Sequence, residues 1–308
     1  MKSSEAEFLA IAAYEASVCE VMTAPKPGLV DAEGSGCHDD MDCALFLKSA
    51  RAIAPFWARQ ARAGLEGTPP ELAMERLRST GVEMERAMAQ ATGGVNTHKG
   101  LVYLMSLLLY GAGFALFSGA PRSAEAAAQF AALAVRGVVE RELGALLAEP
   151  PRRALTNGER LYVEHGVTGV RGEAERGFPS ALRAGLPALR RALADGASFN
   201  DAGLAALLQI MLVCEDSNVM HRAGFEYWSG EYIALTAAAL RGFRAPSWNR
   251  APLYELERKF MERRVSPGGA ADLLSCTYFL HIFLRDIICM LSADGVYSIM
   301  SVYSDAFV

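Results

Sequence analysis

The chain has 308 residues, and its 30 Lys and Arg against 35 Asp and Glu give a formal net charge of −5 at pH 7. This acidic balance argues against a general nucleic-acid binder, which needs surplus positive charge to displace counterions from phosphates. Hydrophobic residues make up 52% of the chain and charged residues 21%, which excludes a disordered polymer and leaves ample apolar surface for a large core.

Apolar residues recur at helical spacing from the amino terminus onward, and almost no stretch alternates as a half-buried strand does. The pattern predicts a first helix with Phe8 and Met22 near one face, a second interrupted at Pro55, and a third terminated by Gly93-Gly94. Later helices are predicted at about 123–148, 199–214, 230–242, 251–263 and 270–291, with Ser198 and Asp201 indicating a capped start near 199. The sequence therefore predicts an all-α protein of about ten helices.

The segment from Gly100 to Ala120 contains no charge and is long enough to span a bilayer. Ser106, Gly111 and Gly113 dilute its apolar run, and no second segment of similar length accompanies it. We interpret the segment as a buried central helix, and a membrane-associated protein remains the alternative.

The predicted linkers are short, and none has the length or polarity of a hinge between domains. We expect one compact domain over residues 1–308. The six cysteines form no Cys-x-x-Cys pair, and no apolar signal core follows a basic start, so we expect a reducing cytoplasmic location. The oligomeric state is left open.

Five segments break the helical pattern; all contain Gly, and four of the five contain a carboxylate, four a His and four a cation. They hold 13 of the 28 glycines and four of the five histidines. We number them in chain order as the first to fifth segments, which cover residues 26–42, 93–100, 165–179, 215–224 and 266–274. Such clustering predicts Gly-rich loops that form the functional site.

The residue types in the five segments are those that bind phosphate. Glycines beside Asn, Ser and Thr expose backbone N–H groups where helices begin, and these bind phosphate oxygens together with a nearby Lys or Arg. The accompanying carboxylates suit Mg²⁺, which takes one or two of them and completes its shell with water and substrate phosphates. No convincing zinc site, P-loop, dinucleotide fingerprint or Gly-x-Ser-x-Gly elbow is present.

Taken together, the motifs resemble the triphosphoribosyl-dephospho-CoA synthase family. The motifs are Lys-Pro-Gly-Leu-Val-Asp with Gly-Ser-Gly-x-His-x-Asp, Gly-Gly-Val-Asn-Thr-His-Lys-Gly, His-Gly-x-x-Gly-x-Arg-Gly-Glu-Ala, Asp-Ser-Asn followed by His-Arg, and Ser-Pro-Gly-Gly-Ala-Ala-Asp-Leu-Leu. They occur in the family's order over most of the chain.

The resemblance implies an all-α fold and the reaction ATP + 3′-dephospho-CoA → 2′-(5″-triphosphoribosyl)-3′-dephospho-CoA + adenine. It also implies that the product is the precursor of the prosthetic group of the acyl-carrier subunit of citrate lyase or malonate decarboxylase. We expect a separate carrier-protein transferase to use this product, since the chain leaves no residues for a fused partner domain.

Roles within the site are hypotheses that follow from this resemblance. A carboxylate near the anomeric carbon would stabilise positive charge or take the hydroxyl proton, for which the candidates are Glu173 and Asp216. An acid would protonate adenine, for which the candidates are His98 and His165. The expected phosphate-binding and substrate-binding residues are Lys26, Gly94, Asn96, Lys99, Arg171, Arg222, Ser266 and Gly268. The expected Mg²⁺ ligands are Asp31, Asp39 and Asp272.

Two other functions are compatible with the same residues. One is a Mg²⁺-dependent hydrolase or transferase that acts on another nucleotide, because a fold and its phosphate-binding loops do not fix the acceptor. The other is a non-catalytic nucleotide-binding helical protein. Release of free adenine distinguishes the main hypothesis from both.

Overall fold

A computed structural model of the chain describes residues 2–148 and 153–284. The described residues contain helices and no strand, which confirms the all-α prediction. They form 14 continuous helices, more than the ten or so predicted, because the predicted helix 123–148 is two helices and because four shorter helices between residues 157 and 223 were not predicted.

The first five helices form the amino-terminal half. They are α1 (Lys2–Met22), α2 (Cys43–Leu65), α3 (Pro70–Thr92), α4 (Lys99–Phe117) and α5 (Ala124–Ala134). Helix α4 packs against α2 and α5 and also contacts α1 and α3, so it lies at the centre of this half.

Helix α4 matches the uncharged run noted in the sequence. Within the described residues it is the single helix long and apolar enough to cross a membrane, and 72% of its apolar window is buried in the protein. Two of its glycines explain the burial: a Cβ at Gly111 would lie 2.0 Å from the Ala127 carbonyl oxygen of α5, and one at Gly113 would lie 2.5 Å from the Ala61 oxygen of α2. These glycines let neighbouring helices approach closely, as the buried-helix interpretation requires.

The second half consists of nine helices, three of which contain a π-helical turn. They are α6 (140–148), α7 (Asn157–His165), α8 (Gly169–Glu175), α9 (180–194), α10 (Phe199–Met211), α11 (Ser217–Ala223), α12 (225–242), α13 (Ala251–Glu262) and α14 (Gly268–Phe283). Helix α14 contacts α1 and α4 and so joins the two halves. One large apolar cluster runs from Ala6 to Phe283.

Two boundary predictions were wrong. Helix α2 continues through Pro55, because that residue lies on the exposed face, where water can satisfy the carbonyl group left without an N–H partner. The predicted helix 123–148 is broken after Ala134 by Gly137, whose φ of +75° ends the helix. The capped start near 199 is confirmed, since the Ser198 hydroxyl accepts the Asp201 N–H at 3.0 Å. The last part of the predicted helix 270–291 lies outside the described residues.

Candidate active site

The first and fifth segments are joined by side-chain contacts. His38 Nε2 lies 2.9 Å from the hydroxyl of Ser266, and the Cys37 thiol donates to the carbonyl oxygen of Val265 at 3.0 Å. The backbone of Gly28, at φ +76°, passes so close that a Cβ there would lie 2.2 Å from the same oxygen. Ser266 is buried and its hydroxyl contacts His38, so it helps to hold the first and fifth segments together. Its role in substrate binding stays a prediction.

Asp216 joins the fourth segment to the fifth. Its carboxylate caps α11 by accepting the N–H groups of Asn218 at 3.0 Å and Val219 at 3.3 Å. It also accepts the N–H of Ala270 at 2.9 Å and that of Gly269, in the first turn of α14. Burial raises the pKa of Asp216 to about 6, although these N–H groups act to lower it. The carboxylate is saturated and 1% exposed, so Asp216 orders two helix starts and does not fit its predicted contact with the sugar.

Asp272 joins the fifth segment to the second. It accepts the backbone N–H of Leu101 near the start of α4, and a Cβ at Gly100 would lie 2.0 Å from its Oδ2. Unlike Asp216, Asp272 is partly exposed. Desolvation, reinforced by the charges of Glu20 and Asp216, raises its pKa well above the usual value. Asp272 therefore holds a proton to higher pH than an ordinary carboxyl group, at a place where two longer helices begin.

The third segment is attached to the fourth. The Glu215 carboxylate accepts both the N–H and the hydroxyl of Thr168, each at 2.9 Å. Glu173 points to the other side of α8, where its two oxygens accept the N–H and hydroxyl of Ser180 at 2.8 and 2.9 Å. Glu173 is buried, which raises its pKa. It anchors the start of α9, so its predicted catalytic role does not fit its contacts.

Lys26 lies inside the protein and is paired there. Its ammonium group donates to the carboxylate of Glu20 and, at 2.7 Å, to the Glu20 carbonyl oxygen. Its backbone N–H donates to Asp31, whose other oxygen accepts the N–H groups of Glu33 and Gly34. Lys26 is 1% exposed and therefore holds the first segment together, which contradicts its predicted role as a phosphate ligand.

His98 is buried beside the first segment. Its Nδ1 lies 2.8 Å from the hydroxyl of Ser49, which in turn accepts a hydrogen bond from Thr97 at 2.6 Å. The other ring nitrogen, Nε2, is buried and has no hydrogen-bond partner among the described residues. Burial, with the nearby charge of Lys26, lowers the pKa of His98 to about 3. A neutral imidazole is not an imidazolium acid, so the predicted proton-donor role of His98 is corrected.

We expect the imidazole of His98 to stay neutral from pH 8 to pH 5. In proton NMR spectra its Cε1–H resonance should not titrate over this range, because protonation would require a charge in a site that excludes water. The chain has only five histidines, and the variant His98→Asn identifies the resonance by its loss. A titration midpoint above pH 5 would contradict this assignment.

His165, the other predicted acid, lies at the end of α7. Its ring stacks on Phe225, with ring centres 4.3 Å apart, and Phe225 in turn packs against Trp228. The stacking covers one face of the imidazole, while 29% of the side chain remains exposed. Its role as an acid stays a prediction.

The predicted cations of the second and third segments lie on one groove. Lys99 is 60% exposed and its Nζ is 3.2 Å from Glu85, while Arg171 Nε donates to Glu142 at 2.8 Å. Gly94 is exposed in the loop before α4, and the side chain of Asn96 accepts the N–H of Lys99 at 3.2 Å. Asn96 thus binds the first N–H group of α4. The two cations remain accessible, and their binding of phosphate stays a prediction.

The remaining predicted residues lie near the start of α14. Arg222 is exposed and donates to the carbonyl oxygen of Arg264 at 3.3 Å. The N–H of Gly268 bonds to the Ser266 carbonyl at 2.9 Å, so it is not free for a phosphate. Asp39 is exposed and forms an ion pair with Arg264, which holds the pKa of Asp39 below its usual range. The structure therefore joins all five segments, but Lys99 and Arg171 line one groove while Arg222 lies apart from it, beside Arg264.

Comparison with known proteins decides what these joined segments represent. Residues 6–287 match the family described as ATP:dephospho-CoA triphosphoribosyl transferase. The chain belongs to this family. The family resemblance of the five segments is thereby confirmed.

Individual relatives cover most of the chain. It is 39% identical over 281 residues to a probable 2-(5″-triphosphoribosyl)-3′-dephosphocoenzyme-A synthase of Azotobacter vinelandii, covering 91% of this chain and 92% of the relative. It is 37% identical over 264 residues to the synthase of that name from Pectobacterium atrosepticum, covering 85% and 84%. No solved structure matches the chain significantly.

The carboxylates predicted to bind Mg²⁺ do not form one centre. Asp31 orders its own loop, Asp39 pairs with Arg264 at the surface, and Asp272 holds the start of α4. Across residues 2–148 and 153–284, no three His, Cys, Asp or Glu side chains gather as a metal site would require. These residues do not fit a resident metal, and a requirement for Mg²⁺ stays a prediction for this member of the family.

Sequence reasoning missed two carboxyl groups at the joined segments. Glu20 lies in α1 among buried apolar neighbours and carries the pair with Lys26. Glu215 precedes Asp216 and holds the third segment. A carboxyl group inside an apolar run was the available signal for Glu20, because such a charge is rarely buried without a partner.

Proposed function

We propose that the protein transfers the 5-triphosphoribosyl group of ATP to the ribose 2′-hydroxyl of 3′-dephospho-CoA and releases adenine. The observation that carries this proposal is the family match over residues 6–287, within which each of the five segments contacts at least one other. Two anionic nucleotides must be held close together in such a reaction, and the helix starts and cations of the segments suit that task.

The acceptor supplies the nucleophile, so the protein needs no nucleophilic side chain. The 2′-hydroxyl oxygen bonds to the anomeric carbon of the ATP ribose while the bond from that carbon to adenine breaks, through a transition state with oxocarbenium character. Adenine then needs a proton, and the attacking hydroxyl becomes acidic enough to lose its own to water or a carboxylate. We assign proton donation to Asp272, because it is partly exposed and its raised pKa keeps the carboxyl protonated to higher pH.

Mg²⁺ would neutralise charge on the triphosphate when bound, and we propose that it arrives with ATP. We further propose that the protein acts in the cytoplasm and that a separate carrier-protein transferase uses the product for citrate lyase or malonate decarboxylase. The five cysteines within the described residues are all free, as expected in a reducing compartment.

The test is incubation of the protein with ATP, 3′-dephospho-CoA and MgCl₂, followed by chromatography and mass spectrometry. We expect adenine to appear in step with a triphosphoribosyl adduct of the acceptor, only with both substrates present. EDTA in excess over Mg²⁺ should abolish turnover, and added MgCl₂ should restore it.

Release of ADP or AMP without adenine would overturn the proposed reaction in favour of another nucleotide-dependent one. Binding of ATP without any turnover would favour a nucleotide-binding protein. Full activity in EDTA would remove only the Mg²⁺ requirement.

A further inference from the structure

A groove of about 660 Å³ runs between helices α3 and α4 on one side and α6, α7 and α8 on the other. This volume falls within the range of about 300–1,000 Å³ common for small-molecule sites. Its inner surface is apolar and includes the buried side chains of Leu77, Val102 and Leu107. The groove therefore offers a binding surface for an elongated, largely uncharged group.

The groove adjoins the candidate active site. Lys99 and Gly100 of the second segment line it, together with Val170 and Arg171 of the third. Gly100 also lies against the carboxyl group of Asp272. A ligand in the groove would therefore extend away from the place where the five segments meet.

The charges in the groove are almost balanced. Arg78 and Arg171 share Glu142, at 2.6 and 2.8 Å, and Lys99 pairs with Glu85 at 3.2 Å. Arg153 likewise pairs with Glu159 at 2.6 Å. With four cations and three carboxylates, the lining has a surplus of only one positive charge, so the groove as a whole is poorly suited to a triphosphate, although Lys99 and Arg171 at its end next to the segments could still contact a single phosphate. Of the two substrates proposed above, only dephospho-CoA has a long uncharged part, its pantetheine arm.

We propose that this groove binds the pantetheine arm of the acceptor, an inference that rests on the proposed function. The arm alternates short alkyl stretches with two amide groups and matches an apolar groove that contains isolated polar groups. Tyr103 supplies such a group: its hydroxyl is buried in the lining and has no hydrogen-bond partner among the described residues. Its hydroxyl would donate to an amide carbonyl of the arm.

Gly81 is a second feature that the groove explains. It lies inside α3, where glycine is unfavourable because it adds backbone freedom to the unfolded chain. A Cβ at Gly81 would have only the Val102 Cγ1 atom within reach, at 4.0 Å, so the space above the residue is open. The missing side chain leaves this part of the groove free for a ligand.

The proposal is tested with Gly81→Leu, which fills the groove while favouring the helix. We expect the KM for dephospho-CoA to rise about tenfold or more, with the KM for ATP unchanged. Calorimetry should show that 4′-phosphopantetheine binds the wild-type protein and not Gly81→Leu. The matched control Ser79→Leu introduces the same side chain at an exposed position of α3 outside the groove and should keep wild-type values.

Tyr103→Phe provides an independent measurement, because it removes one hydroxyl without filling the groove. We expect its KM for dephospho-CoA to rise about fivefold, with unchanged resistance to urea. An unchanged KM for dephospho-CoA in an active Gly81→Leu enzyme that still binds 4′-phosphopantetheine would overturn the groove assignment and leave the proposed function standing. No adenine release by the wild-type protein would overturn the proposed function, and the calorimetry, which requires no turnover, would then decide the groove assignment alone.

Discussion

Asp272→Asn should lower turnover by about 100-fold or more, the usual size of the loss when a general acid is removed. Asparagine has the shape of a protonated carboxyl group and can still accept the Leu101 N–H, but it cannot give a proton to adenine. We therefore expect adenine release to fall while the KM for ATP changes little. The measurement is steady-state adenine production at saturating substrates.

The unfolding free energy of the same variant separates catalysis from structural damage. The pKa of Asp272 is higher in the folded protein than in the unfolded chain. As pH rises, the unfolded chain therefore loses this proton first, and the wild-type protein loses stability until the pH exceeds the raised pKa. Asp272→Asn has no such loss, so its stability relative to wild type should increase with pH.

Asp216→Asn serves as the contrasting variant. Its new amide would place an N–H group against backbone N–H groups that now donate to the carboxylate, so it should lose stability. If Asp272→Asn were the less stable variant, or kept more than a tenth of wild-type turnover, its assignment as proton donor would be wrong.

Lys26→Met should have the largest effect on stability, lowering the free energy of unfolding by about 3–4 kcal/mol at pH 7.5. Methionine fills similar space but leaves the Glu20 carboxylate buried without its cation. Glu20 can then lose its uncompensated charge only by taking up a proton. This limits the loss of unfolding free energy and makes that loss smaller at pH 5. Urea unfolding at the two pH values measures the effect.

Two variants control for loss of the lysine itself. Lys48→Met removes an exposed lysine of α2 and should change stability by less than about 0.5 kcal/mol. The double variant Lys26→Met/Glu20→Leu removes both buried charges and should recover most of the lost stability. Equal losses in the single and double variants would mean that packing, and not the ion pair, determines the effect.

Helical spacing was a sound guide wherever one face of a helix is buried over several turns. Helices α1, α3 and α4 were found in this way, and the caps at Ser198 and Gly93 were read correctly. The short helices α8 and α11 were not found, because seven residues provide too few apolar positions to show a period. The start of α8 is bound by Glu215, which is distant from it in sequence. The start of α11 is bound by Asp216, which also binds the start of α14.

The sequence by itself determined the fold class, the burial of the central helix and the positions of the five Gly-rich segments, because these depend on periodicity and on residue types within short windows. It also carried the family resemblance. Only the tertiary structure decided which residues remain free to act. Lys26, Glu173 and Asp216 have the charge expected of site residues, yet each is buried and engaged by protein partners, whereas Asp272 stays partly exposed. Burial and hydrogen bonding set the pKa and accessibility of a side chain, and both depend on neighbours that are far away in the sequence.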